Sequence, residues 1–163
     1  MRVMALVALA VFCLDQLSKV VIVHLMALDD VRSIDVLPPY LNFRMAWNRG
    51  INFGLFSSHS EIVRWGFVVL ALAIVGWVIW WVRREPEGLW LRISAGLLVG
   101  GALGNVIDRV IYGAVADFLN MSCCGWENPS SFNVADIAIF AGALGLILFT
   151  GRSGARDAAD KSG

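Results

Sequence analysis

Asp117 and Asp136 each stand at the edge of a long apolar run, and their type and placement point to chemistry. A carboxylate at the rim of a bilayer loses part of its hydration, a cost normally accepted only where the charge has a task. Two carboxylates brought onto one water cannot both ionise easily, so such a pair holds one proton at working pH. The ionised member takes a proton from water while the protonated one polarises a carbonyl. This is the chemistry of an aspartyl hydrolase that forms no covalent adduct. Asp136 lies near a helix N-terminus, which favours its anion, and Asp117 follows a helix C-terminus, which disfavours one. On that basis Asp136 is the initial base, although the pair titrates as a unit. Each residue also has a structural reading. Asn133 can cap a helix with Asp136 as its capping-box partner in place of Glu, and Asp117 can be a solvated loop residue.

The elements that must position these two groups are membrane spans. The chain has 163 residues, 58% hydrophobic and only 16% charged, which is too apolar for an ordinary water-soluble domain. A formal net charge of zero offers no basic footprint, and no nucleic-acid module is visible. Four stretches, 3–28, 62–82, 93–112 and 132–150, are near the roughly 20 residues that cross a hydrocarbon core. A single polytopic domain over 1–163 follows, all-α in class, with four transmembrane helices. The segment 29–60 has a strand-like period after the Pro38-Pro39 break, with Leu41, Phe43, Met45 and Trp47 alternating with polar or small residues. It predicts a small β-sheet between the first two spans. Asn48-Arg49-Gly50 reads as a turn, and Gly54 lets the backbone bend again.

Cations near span ends favour the cytoplasmic side. Arg2, Arg83, Arg84, Arg92, Arg152, Arg156 and Lys161 put both termini there, against Arg32, Arg44, Arg49 and Arg64 on the other side. Trp77, Trp80, Trp81 and Trp90 fit an interfacial belt beside the second loop. The N-terminal run lacks a persuasive small-residue cleavage site and is expected to be kept as the first span, while 151–163 reads as a frayed cytoplasmic tail.

Polar groups cluster in three of the four spans. Gly101, Gly104, Asn105 and Asp108 fall at i, i+3, i+4 and i+7, so one small, polar helix face should look into the bundle, with the glycines there chiefly for packing. Asp15 and Lys19 are four apart with the acid first, a favourable helical pair that can either snorkel outward or act in the interior. Asp108 and Arg109 admit an ion-pair reading between helices as well, since a lone buried charge is costly.

Cysteine catalysis lacks support: Cys13 lies in an apolar span, and Cys123 and Cys124 have no evident histidine partner. Adjacent thiols without further ligands make a poor metal site, so no metal or organic cofactor is expected. In an oxidising compartment those two could pair only as a strained vicinal disulfide or with another chain. Another function stays open on residue type alone, a small proton-coupled transporter or channel with a relay through Asp15, Asp108, Asp117 and Asp136. Against the relay, all but Asp15 gather at one side of the membrane.

Five segments, in order over almost the whole chain, resemble the successive motifs of lipoprotein signal peptidase, the signal peptidase II family. They are Asp15-Gln16-Leu17-Ser18-Lys19, Asn48-Arg49-Gly50-Ile51-Asn52-Phe53-Gly54, the run from Gly100 to Arg109, Val115-Ala116-Asp117-Phe118, and Phe132-Asn133-Val134-Ala135-Asp136. The resemblance implies a bacterial inner-membrane aspartyl peptidase, monomeric and sensitive to globomycin, with a small periplasmic sheet and its active site on that side. Asp117 and Asp136 would be the catalytic pair. The substrate would be a prolipoprotein whose cysteine already carries diacylglycerol, cut on the amino side of that cysteine, with membrane lipid as the surroundings. Asn48, Gly50, Gly104, Asn105, Asp108, Arg109, Asn133 and Ala135 match motif positions around the substrate pocket, Asn48 and Arg109 as substrate contacts, Asn105 and Asn133 as polar supports. Asp15 and Lys19 match the first motif. Ser18 stands where the family more often has Thr, and Ile137 where many members have Ser; Ile137 is expected to face lipid or packing.

Overall fold

A computed structural model of the chain describes residues 1–50, 60–85, 88–123, 125 and 128–160. The expected bend at Gly54 with the preceding Ile51, Asn52 and Phe53, the state of Cys124, and the last three residues of the tail lie outside these.

Helix α1 (Arg2–Lys19) runs directly into a π-helical segment (Val20–Leu25), followed by the single turn α2 (Leu28–Val31). Helices α3 (Ser60–Val82), α4 (Leu89–Tyr112) and α5 (Val134–Asp160) complete the helical set. Among the described residues, three helices are able by length and composition to cross a membrane: Arg2–Leu25, Glu61–Val82 and Leu89–Tyr112. The apolar part of α5 among them, Val134–Thr150, is shorter.

Helix α4 is central. Its apolar window is 67% buried, against 22% for α1 with its π-helical extension and 17% for α3, whose surfaces are left to lipid. Small residues allow this. A Cβ on Gly100 would lie 2.5 Å from the Ala8 carbonyl oxygen of α1, and one on Gly101 would lie 2.5 Å from the Ala135 carbonyl oxygen of α5. The backbones therefore approach as only glycine permits, the usual device of helix packing without a hydrophobic drive. Between them Met4, Val78, Leu91, Ala95, Leu98 and Val99 form a continuous apolar core.

The sheet has three antiparallel strands in the order β1 (Ser33–Leu37), β2 (Leu41–Asn48), β3 (Val115–Met121). The turn between β1 and β2 contains the Pro38-Pro39 step. The expected alternation in β2 is present: Phe43, Met45 and Trp47 pack on Val23, Leu28 and Phe118. Phe43 meets Phe118 edge to face with centroids 6.0 Å apart. The sheet is not, however, confined to the segment between the first two spans. Its third strand comes from beyond α4 and carries Asp117, which removes the solvated-loop reading of that residue. Residues 115–118 are buried on both faces, so the strand has no apolar-polar alternation for a sequence pattern to display.

Candidate active site

The site lies where α1 and α4 end, α5 begins and β3 passes between them. In β3, Ala116 and Phe118 point into the apolar cluster beneath the sheet, so the alternation of a strand turns Asp117 the other way, toward the helix ends. It is only 2% exposed. Asp136 sits in the first turn of α5 and is half-buried. The capping box anticipated for this helix is formed, with the Asp136 N–H donating to Asn133 Oδ1 at 2.9 Å and the Asn133 N–H donating to Asp136 Oδ2 at 3.2 Å.

Three asparagine amides hold the two carboxylates, and the orientation of each is fixed by what its oxygen accepts. Asn133 Oδ1 takes the Asp136 N–H, so Asn133 Nδ2 faces Asp117 Oδ1 at 2.7 Å. Asn48 Oδ1 takes the Gly50 N–H, so Asn48 Nδ2 faces Asp117 Oδ2 at 3.0 Å. Asn105 Oδ1 takes Asn133 Nδ2, so Asn105 Nδ2 faces Asp136 Oδ1 at 2.9 Å. Asn133, fully buried, thus bonds to both aspartates at once. Gly50 makes its turn at φ +100°, a left-handed conformation, and a Cβ there would overlap the Phe67 ring. The turn read at 48–50 is what aims the Asn48 amide.

Asp117 is electrostatically unusual. Burial pushes its carboxyl up to about 7, and the neighbouring charge of Asp136 pushes in the same direction against the hydrogen bonds from Asn48 and Asn133. Arg109 of α4 is near enough to interact by charge with both Asp117 and Asp136, and Lys19 of α1 reaches Asp117 in the same way. The guanidinium of Arg109 lies 5.1 Å from the centre of the Phe67 ring, and its Nη1 donates to the Asn105 carbonyl oxygen at 3.3 Å.

Beneath this layer is a buried ionic cluster. Lys19 does not snorkel outward: its Nζ is 2.7 Å from Asp15 Oδ2 and 2.8 Å from Asp108 Oδ2, and neither carboxylate is exposed. The partner of Asp108 is Lys19, across the α1–α4 interface, and not its neighbour Arg109. Gln16 Nε2 donates at 3.1 Å to each of the two carboxylates. Gly104 leaves the space for Asp15, since a Cβ on it would lie 2.6 Å from Asp15 Oδ2.

Neither the bridging amide of Gln16 nor a structural contact of Arg64 is visible in the sequence. Arg64 of α3 donates from Nε to the Arg109 carbonyl oxygen at 2.7 Å, which also accepts the Gly113 N–H, and from Nη2 to that of Val110 at 2.8 Å, capping the C-terminal carbonyls of α4. No sequence signal marks such a cap, because it comes from another helix. Ile137 is 51% exposed and points away from the site. Cys13 is exposed on α1, and Cys123 is disulfide-bonded. Among the described residues no group of three His, Cys, Asp or Glu converges as a metal site would require. An apolar cavity of about 290 Å³ is walled by Phe67, Leu70 and Ile74 of α3, Leu98 of α4 and Ile139 of α5, and its lining includes Arg109 and Asn105, the residue that donates to Asp136.

Because the Gly101 Cα faces the first turn of α5, Gly101→Ala is expected to drive α5 from α4 and cost about 1–3 kcal/mol. Thermal unfolding in detergent measures this; an unchanged Tm would mean that the helices part freely.

Residues 7–151 match the family model described as signal peptidase (SPase) II. The chain is 45% identical over 152 residues to a lipoprotein signal peptidase of Methylobacterium sp. (strain 4-46), covering 91% of this chain and 88% of that protein. It is 39% identical over 141 residues to the lipoprotein signal peptidase of Burkholderia vietnamiensis, covering 86% and 82%. Its structure is similar to that of a bacterial membrane enzyme solved by the in meso method at 2.3 Å, with a TM-score of 0.77, 28% identity and coverage of 96% and 92% of the two chains.

Proposed function

Because the chain belongs to the signal peptidase II family, membrane aspartyl peptidases that remove signal peptides from prolipoproteins, we propose that Asp117 and Asp136 are its catalytic pair. The observation that carries this reading is the single buried amide of Asn133 bonded to both residues, which holds them to one site from two different elements. Asp117 keeps the shared proton, in line with its raised carboxyl, and polarises the scissile carbonyl. Asp136, with the N–H of Asn133 and the amide of Asn105 donating to its oxygens, takes the proton of the attacking water. The tetrahedral intermediate collapses as the proton passes to the leaving amine. No covalent adduct forms.

The substrate is a prolipoprotein whose cysteine carries diacylglycerol, cut on the amino side of that cysteine. Its acyl chains lie in the apolar cavity between α3, α4 and α5, while the peptide runs along the face of the sheet that carries Asp117. Asn48 and Arg109 contact the substrate; Asn105 and Asn133 hold the pair; Gly50, Gly104, Asp108 and Ala135 shape the surrounding backbone and pocket. Four helices span the bacterial inner membrane, α5 as the fourth, with both termini cytoplasmic, the sheet and site periplasmic, and the protein acting as a monomer without cofactor.

The test is to incubate the purified chain with a diacylglyceryl-modified prolipoprotein across a range of pH. A mass shift equal to the lost signal peptide is expected. Asp117 must be protonated to act, and its carboxyl titrates at about 7 with Asp136, Arg109 and Lys19 as its charged neighbours. Raising the pH strips that proton, so kcat/KM should fall about tenfold per pH unit above this value. Ion flux without cleavage, or a rate that keeps rising past pH 8, would reject the reading.

A further inference from the structure

Two backbone bonds join the buried ionic cluster to the aspartate pair. Asp15 Oδ1 accepts the N–H of Ala135 at 3.0 Å, and Ala135 immediately precedes Asp136. Asp108 Oδ2 accepts the N–H of Ala116 at 3.1 Å, and Ala116 immediately precedes Asp117. One ammonium, Lys19, bridges the two accepting carboxylates at 2.7 and 2.8 Å. Asp15, Lys19, Asp108, Ala116 and Ala135 are all buried, so none of these bonds competes with solvent.

We propose that Asp15 and Asp108, tied together by Lys19, are positioning residues that set the separation and aim of Asp117 and Asp136 by gripping the backbone one residue ahead of each. This rests on the reading of that pair as the reacting groups. The two aspartates come from unlike elements, a strand and a helix start. On one side Phe132 pairs with Phe118 and Leu119 and Asn133 bonds to both aspartates; on the other, the buried three-point ionic clamp grips the residue ahead of each, so the pair is held from both sides. The cluster carries one negative charge in surplus, two carboxylates against one ammonium. That surplus is met by the Gln16 amide and by the two N–H groups, one of them at the positive end of α5. The geometry therefore couples charge balance to spacing: Asp15 Oδ1 has the Ala135 N–H as its donor, and Asp108 Oδ2 takes the Ala116 N–H beside the ammonium of Lys19, so each carboxylate holds the backbone next to the pair while it binds the shared cation.

The experiment compares wild type, Asp15→Ala, Asp15→Asn, Asp108→Ala and Asp108→Asn as full chains in detergent with lipid, using a diacylglyceryl-modified prolipoprotein and reading kcat, KM and the pH profile. Asp136→Asn serves as the inactive control, and tryptophan fluorescence gives the folded fraction. The Ala variants are expected to lose about 30- to 100-fold in kcat per folded molecule, with KM within about threefold of wild type. The Asn variants keep an oxygen for the N–H and should recover about tenfold of that loss. In Asp108→Asn the ammonium of Lys19 is less neutralised, so the alkaline limb should also move to lower pH, a change that a merely structural site would not produce. If the Ala variants do not fold, that displaced limb in Asp108→Asn decides. A kcat within twofold of wild type in folded Ala variants, a loss confined to KM, or an unmoved limb in Asp108→Asn would overturn the inference. A wild-type chain that fails to cleave would refute the catalytic pair itself, an outcome distinct from uncoupled positioning.

Discussion

Asp117→Asn and Asp136→Asn are each expected to lower prolipoprotein cleavage by about 10⁴-fold or more, because each removes one half of a proton-sharing unit. The double variant should be no worse than either single one, since groups acting as a unit are not additive. Asparagine preserves shape and removes the titration, yet it is not silent structurally. Both oxygens of Asp117 accept from amide donors, Asn48 Nδ2 and Asn133 Nδ2, and an amide at 117 must turn its own NH₂ toward one of them. That mismatch costs about 1–3 kcal/mol, so stability has to be measured beside activity. Both oxygens of Asp136 likewise accept donors, from Asn105 Nδ2 and the Asn133 N–H, which gives the same penalty there. Mass spectrometry of the processed product in folded protein settles the matter: normal processing by either variant would remove that residue from the reacting pair.

The helices were legible from composition because lipid imposes a length and an apolar surface, and α1, α3 and α4 answer to both. The polar face of α4 was legible too. Its spacing puts Gly101 against α5, Gly104 against Asp15, Asn105 on Asp136 and Asp108 on Lys19. What the chain conceals is whatever depends on a partner far away in sequence. Strand β3 is buried on both sides and has no period, so Asp117 could be read as a loop residue until the pairing of Ala46 with Asp117 was known. Asp108 sits beside Arg109 in sequence, but consecutive helical residues point about 100° apart, and the ammonium that meets Asp108 comes from α1. The bonds from Ala135 to Asp15 and from Arg64 to the end of α4 cross the bundle in the same way, with nothing local to announce them.

Lys19→Met is expected to destabilise the protein by about 3–5 kcal/mol, because it takes from two buried carboxylates the ammonium that bridges them. The methionine fills much of the lysine stem's volume, so the loss is electrostatic and not a cavity effect. The stem itself is 94% covered, with a side-chain exposure of 6%, and water cannot rehydrate Asp15 or Asp108, both of them at 0%. Gln16 can donate to either carboxylate but brings no charge. Removing one surplus charge should restore part of the loss: Lys19→Met with Asp108→Asn should be more stable than Lys19→Met alone by about 1–3 kcal/mol, the coupling of directly contacting residues. Unfolding in mixed detergent, followed by tryptophan fluorescence, measures all the corners of this cycle. Should Lys19→Met cost less than about 1 kcal/mol, in the range of an exposed pair, the cluster would be hydrated and not the sealed clamp its burial describes.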